Sequence, residues 1–91
     1  MKMTNVEIIS KYYKSISDIT RLKILKILLN ENKCICICNL AKEIGKNQSV
    51  IYKHIQILKE SNLINTRKDD KYLMCCIKDK KKVEKIFQLK L

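Results

Sequence analysis

The sequence predicts a mainly α fold with a small antiparallel sheet, in the order helix-helix-strand-helix-helix-hairpin-helix. Three observations carry that expectation. The chain has one Gly and no Pro in 91 residues, too few turn-formers for a sandwich or barrel. Apolar residues recur at spacings of three and four through most of its length, the period of amphipathic helices. Two β-prone stretches, one at residues 34–37 and one at 64–77, break that period and leave room for a brief strand and a hairpin.

The elements follow in order. Thr4-Asn5-Val6-Glu7 reads as a capping box, and Val6, Ile9, Tyr13 and Ile16 continue it at helical spacing, so a first helix runs from about Asn5 to Ile16. Ser17 or Asp18 can cap a second helix whose Ile19, Leu22, Leu25, Ile27, Leu28 and Leu29 give it a broad apolar surface. Asn30 to Lys33 is a polar break, and the alternating residues 34–37 read as a short strand. Asn39 to Ile44 form a short amphipathic helix, closed by Gly45 where the chain must turn. Asn47 caps a longer helix from about Gln48 to Ser61, with Ile51, Ile55 and Leu58 as its apolar stripe and Gln48, Ser49, Tyr52, Lys53 and Gln56 facing away. Ile64 to Arg67 and Tyr72 to Ile77 are the strands of a hairpin, with Lys68 to Lys71 as its charged tip. A last helix follows Asp79 and uses Val83, Ile86, Phe87 and Leu91.

Composition narrows the function. Twenty Lys and Arg stand against nine Asp and Glu, a formal charge of +11. So basic a small domain attracts polyanions, nucleic acid first. A plainer source is a Lys- and Ile-rich composition bias, since Lys outnumbers Arg 18 to 2. No apolar run reaches the roughly 18–20 residues of a bilayer span, and the first residues lack a signal-peptide core. The expectation is a cytoplasmic protein with no membrane partner, whose five cysteines are thiols or ligands and not a disulfide framework. No phosphate loop, Ser/His/Asp set or paired acid stands out, so an enzyme is not expected.

This element order is that of a winged helix-turn-helix domain. The whole chain, 1–91, reads as one such domain, with the helix-turn-helix at about 39–61, the wing at about 64–77 and the terminal helices left for pairing. Gln48, Ser49, Tyr52 and Lys53 then face bases in the major groove, and Arg67, Lys68 and Lys71 of the wing face phosphates. His54, the only histidine, either contacts the DNA backbone or packs at the helix base.

Three stretches resemble a known family. Ser17-Asp18-Ile19-Thr20-Arg21-Leu22-Lys23-Ile24-Leu25 looks like a recurrent S-D-P-T-R-L-R-I-L helix start, with Ile19 at the proline position. Cys36-Ile37-Cys38-Asn39-Leu40 is similar to a C-V-C-D-L metal motif, and Asn47 to Ile55 resembles the recognition pattern S-Q-S-T-V-S-R-H-L. Together they resemble the ArsR/SmtB family of metal-responsive winged-helix repressors over about residues 5–88. The resemblance implies a homodimer built from the first and last helices, a double-stranded DNA operator, and release of DNA on binding an inducer. It places a metal pair at Cys36 and Cys38. It also implies the recognition-helix position for His54. The family's other sensing site, on the last helix, is not expected, because residues 80–91 hold one carboxylate and no His.

The cysteines leave several chemistries open. Cys34, Cys36 and Cys38 share one face of an ideal strand, with neighbouring Cα atoms about 6.6 Å apart. Sulfurs on one ion lie roughly 4 Å apart, so the three form a site only if the chain bends near Cys38. Thiolates without nitrogen ligands suit As(III), Sb(III), Cd(II), Pb(II) or Cu(I). No cofactor is required. The resemblance to the family's arsenic sensors implies a third Cys three residues after the pair, where this chain has Ala41, so Cys34 would have to substitute from the other side. Redox sensing and simple packing are the alternatives. Either Cys75 or Cys76 of the returning strand can meet Cys34 or Cys36 across the sheet, but not both, because adjacent strand residues face opposite sides. Beside the repressor stand a DNA binder without a metal inducer and a winged-helix protein-interaction module.

Overall fold

Helix starts in this chain are fixed by side chains that accept otherwise orphaned backbone amides. The structure, a computed structural model, describes residues 2–88. Thr4 Oγ1 accepts the Glu7 amide at 3.2 Å and opens α1 (Asn5–Ile16). Asp18, rather than Ser17, accepts the Arg21 amide at 3.0 Å and opens α2 (Ile19–Glu31). Asn47 Oδ1 accepts the Val50 amide at 3.0 Å before α4 (Gln48–Glu60), and Asp79 Oδ1 accepts that of Lys82 at 3.2 Å before α5 (Lys80–Ile86). Such caps each contribute about 1 kcal/mol.

The β1–α3 junction differs from the sequence expectation. Strand β1 is only Ile35–Cys36, and α3 begins at Ile37 and ends at Ile44. The alternating Cys-Ile run imitates a strand, but Ile37, Leu40 and Ala41 are all buried, and burying them together requires helical spacing from Ile37 onward. Cys36 becomes the N-cap, its Sγ accepting the Cys38 amide at 3.2 Å.

Gly45 ends α3 at φ +82°, in the left-handed region, and its amide and that of Lys46 both bond Ala41 O, at 2.9 and 3.1 Å. This closure points the chain into α4.

The hairpin is also longer than its local sequence suggests. Strand β2 is Ile64–Asp69 and β3 is Tyr72–Ile77, leaving only Asp70 and Lys71 in the turn, with Asp70 at φ +58°. Lys68 and Asp69 look like turn residues in isolation, yet they pair with Leu73 and Tyr72. The sheet is antiparallel in the order β1-β3-β2, so the returning wing strand is its centre.

The core lies between this sheet and the helices. Ile24, Leu25 and Leu28 of α2, Leu40 of α3, Ile51, Ile55 and Leu58 of α4, Ile64 of β2, Cys75 of β3 and Val83 of α5 are all at most 1% exposed. Ile19, expected in the apolar surface of α2, is instead 73% exposed at the helix start. Leu91 lies outside the described residues. The result is a winged helix-turn-helix: α3, the Gly45 turn and α4 form the reading unit, and β2–β3 form the wing.

A Cβ added at Gly45 meets nothing within 4 Å, so the cost of Gly45→Ala is confined to the backbone, about 1 kcal/mol. The thermal midpoint at fixed protein concentration should fall by roughly 4–8 °C. An unchanged midpoint would contradict the left-handed turn.

Candidate nucleic-acid interface

With Ile51, Ile55 and Leu58 sealed in the core, the 100° step of the helix turns Gln48, Ser49, Tyr52 and Lys53 outward. All four are exposed, and all four line a cleft of about 650 Å³ between the start of α4, the start of α3 and the wing. Its far wall is Lys71, Tyr72 and Leu73, and its floor includes Cys36, Ile37 and Cys38. Ser49 Oγ donates to Asn47 Oδ1 at 2.7 Å, so the cap residue also orients a candidate base-reading hydroxyl. Lys71 Nζ lies 5.5 Å from the centre of the Tyr72 ring, a separation within cation–π range. Arg67 and Lys68 are exposed on β2, outside the cleft lining. Tyr72 and Leu73 were not singled out by the sequence; placing them needs the hairpin register, which the charged tip obscured.

His54 is placed elsewhere. Its ring is 19% exposed, and its Nδ1 lies 3.0 Å from Arg21 Nη1 and 3.8 Å from the Asp18 carboxylate. A guanidinium only donates, so Nδ1 accepts and the ring proton sits on Nε2. Arg21 also donates from Nε to Ser15 O at 2.7 Å and from Nη2 to Lys14 O at 3.2 Å. One guanidinium therefore joins the end of α1, the start of α2 and the middle of α4. The Arg21 backbone amide, the largest influence on Asp18, holds its carboxyl below the usual range. Of the two places expected for His54, the contacts seen are those of packing at the helix base: its ring is turned toward α2, where it joins Arg21 to the reading helix. The sequence offered Asp18 as a cap and Arg21 only as part of the family-like stretch; the contact with His54 spans 33 residues and has no local signature.

The three cysteines expected to act together are divided. Cys34 is joined to Cys76 by a disulfide with Cα atoms 4.3 Å apart, and Cys36 to Cys38 with Cα atoms 5.2 Å apart. The helical bend at Ile37 draws Cys38 back toward Cys36, well inside the spacing of an extended strand. Cys34 is drawn the other way, because β1 pairs Ile35 with Cys75 and Cys36 with Met74, which brings Cys34 opposite Cys76. Among the described residues no group of three or more His, Cys, Asp or Glu side chains is placed to hold a metal ion. The three-thiolate set is therefore not assembled in this structure. Cys75 faces the core, and burial pushes its thiol up to about 12.

Comparison with known proteins adds to this geometry. Residues 18–66 match the family described as bacterial regulatory protein, arsR family. The chain is 39% identical over 67 residues to a helix-turn-helix-type transcriptional regulator of Methanocaldococcus jannaschii, covering 74% of each. It is 32% identical over 71 residues to the cadmium resistance transcriptional regulatory protein CadC of Listeria innocua, covering 78% of this chain but 59% of that protein. Its fold matches a homodimeric winged helix-turn-helix DNA-binding domain from Mycobacterium bovis with a TM-score of 0.78, at 20% identity, over 91% of this chain and 74% of that one.

The raised Cys75 pKa has a direct consequence. At pH 8 about one Cys75 in ten thousand is a thiolate, so alkylation of the fully reduced native protein should spare it until the chain unfolds. The same burial favours the folded state fully below the unfolded thiol value of about 8.5. That contribution is lost as pH rises from there toward the folded value. Mass mapping of iodoacetamide adducts checks this; rapid native labelling of Cys75 would contradict it.

Proposed function

The chain belongs to the arsR family of bacterial regulatory proteins, and from that premise we propose a homodimeric, sequence-specific DNA-binding repressor regulated through Cys36 and Cys38. One observation carries this reading: Gln48, Ser49, Tyr52 and Lys53 share a single cleft with wing residue Lys71 and with the Cys36–Cys38 pair. Gln48 has the donor and acceptor for a bidentate contact with adenine, Ser49 and Lys53 reach base edges or phosphates, and the Tyr52 ring suits a thymine methyl. Arg67, Lys68 and Lys71 supply phosphate contacts that set affinity and salt dependence.

A second copy of the chain fits the exposed apolar face of α1. Val6, Ile9 and Tyr13 are 76%, 54% and 62% exposed, and a surface cleft joins Tyr12, Tyr13 and Ile16 of α1 to Lys85 and Ile86 of α5. Pairing through α1 and α5 covers this surface and sets two reading helices at a fixed separation, as half-site recognition requires.

The inducer reading rests on the thiol pair. Reduced Cys36 and Cys38 are the residues that would hold a soft ion such as As(III), Sb(III), Cd(II), Pb(II) or Cu(I), which prefers thiolate ligands. Cys36 caps α3 and Cys38 lies in its first turn, so a change at the pair is transmitted directly to the helix that packs against α4. The disulfide state of the same pair supports a second reading, in which thiol oxidation is the signal. In either case repression is relieved by lowering the population of the DNA-competent arrangement.

Two experiments test this. Gel shifts on the chain's own upstream region should show affinity falling steeply with salt. Replacing Arg67, Lys68 and Lys71 by Gln should flatten that slope by about one unit per lost phosphate contact. Gln48→Ala should cost about 1–3 kcal/mol at one base position and relax its specificity. Absence of binding even at low salt would leave only the protein-interaction reading. Separately, reduced protein should bind As(III) or Cd(II) and release operator; Cys36→Ser and Cys38→Ser should abolish that response, and Cys34→Ser should spare it. Operator affinity unchanged by both ions and by oxidation would end the regulatory reading.

A further inference from the structure

Cys34 and Cys76 lie outside the DNA-facing cleft. They open on a separate depression of about 210 Å³ between the end of α2 and the start of α5. Both are half-buried and reachable from solvent, unlike Cys75. The β1–β3 register sets them opposite one another with Cα atoms 4.3 Å apart, the close spacing of directly opposed residues in an antiparallel pair. The chain therefore holds the two sulfurs together without help from α3 or the wing tip.

The rim of this depression is cationic. Lys33, Lys78 and Lys80 line it, and no acidic side chain does. Lys78 Nζ donates to the neutral amide oxygen of Asn62 at 3.2 Å, which leaves its charge uncompensated. The nearby Asp79 carboxylate accepts the Lys82 amide. Among the described residues the lysine ion pair is Lys11–Glu60, so none of the three rim lysines is neutralised by one. Three ammonium groups around an accessible dithiol raise the local concentration of anionic reagents and favour developing negative charge on sulfur.

We propose that Cys34 and Cys76 form a thiol–disulfide exchange site for anionic, carboxylate-bearing low-molecular-weight disulfides, selected by Lys33, Lys78 and Lys80. In the oxidising direction one cysteine thiolate attacks a sulfur of RS–SR, the S–S bond of the reagent breaks, and one RS⁻ leaves. The second cysteine thiolate then attacks the protein sulfur of the mixed disulfide, forms the Cys34–Cys76 bond and expels the second RS⁻. Two electrons pass from the protein dithiol to the reagent, and the two protons lost by the cysteines go to the two leaving thiolates. The reverse sequence uses two anionic thiols. The site shares no lining residue with the DNA-facing cleft.

The test is a charge comparison on the full, reduced chain. Oxidised glutathione (anionic), hydroxyethyl disulfide (neutral) and cystamine (cationic) are each added, and formation of the Cys34–Cys76 bond is followed by acid quench and peptide mapping. Rates are normalised to those of the same reagents with free cysteine. The expected order is anionic, neutral, cationic, with about tenfold or more between the extremes at low salt. Substituting Lys33, Lys78 and Lys80 by Gln should collapse that ratio toward one. Substituting Lys23, Lys42 and Lys46 by Gln, an equal loss of net charge elsewhere, should leave most of it. The comparison is repeated with Cys36→Ser/Cys38→Ser, so that the second thiol pair cannot relay the reaction. Equal ratios in the two lysine variants would overturn the proposal, as would a product bonded through cysteines other than Cys34 and Cys76.

Discussion

Ile51, Ile55 and Leu58 each have no measurable exposure, and this one buried stripe determines what α4 presents to the outside. Burying a side chain of that size favours the folded state by about 1.5–3 kcal/mol, so rotating the helix by a single residue would sacrifice several kcal/mol. Gln48, Ser49, Tyr52 and Lys53 face outward because the stripe cannot. The packing beneath is supplied by Ile24, Leu25 and Leu28 of α2 and by Leu40 of α3. Arg21 adds a polar lock, tying α4 through His54 to the junction of α1 and α2. The exposed side chains of α4 are thus held in place by groups that pack behind them.

The wing is attached by the same logic. Strand β3 lies between β1 and β2 in the sheet, and its Cys75 is 1% exposed within the core. Two residues of β1 suffice to join the sheet to α3, because Ile35 and Ile37, on either side of Cys36, are both buried. This junction is also where the pair proposed for regulation lies: Cys36 and Cys38 sit where the strand becomes a helix, in the lining of the cleft between α4 and the wing. Cys34 and Cys76 occupy the other end of the strand pair, beside a different, lysine-rimmed surface. Five cysteines in so small a domain therefore divide into three environments: a pair in the cleft floor, a pair at the rim of a cationic depression, and one sealed thiol.

The sequence was most legible where structure is local. Thr4, Asn47 and Asp79 announce helix starts because a short polar side chain can cap only its own helix. Gly45 marks the reading-unit turn because it alone adopts positive φ without strain. The apolar stripe of α4 follows from helical spacing. Legibility failed where the outcome depends on distant partners. The Cys-Ile alternation fits a strand until Ile37 has a core to enter, and then the helix wins. Lys68 and Asp69 look like a turn until β3 pairs with them. His54 could face either way until Arg21 is placed beside it. The meeting of Cys34 with Cys76 was among the cross-strand pairings the sequence allowed, but the choice among them is set by the β1–β3 register, which joins residues about 40 positions apart.

Amide chemical-shift mapping of the labelled dimer during titration with its upstream duplex tests most directly whether the surface displayed by this buried stripe reads DNA. The largest changes should fall on Gln48 to Lys53 and on Arg67 to Tyr72, with those of the α1 face small. Changes concentrated on α1 or α5, with the cleft between α4 and the wing unperturbed, would contradict it.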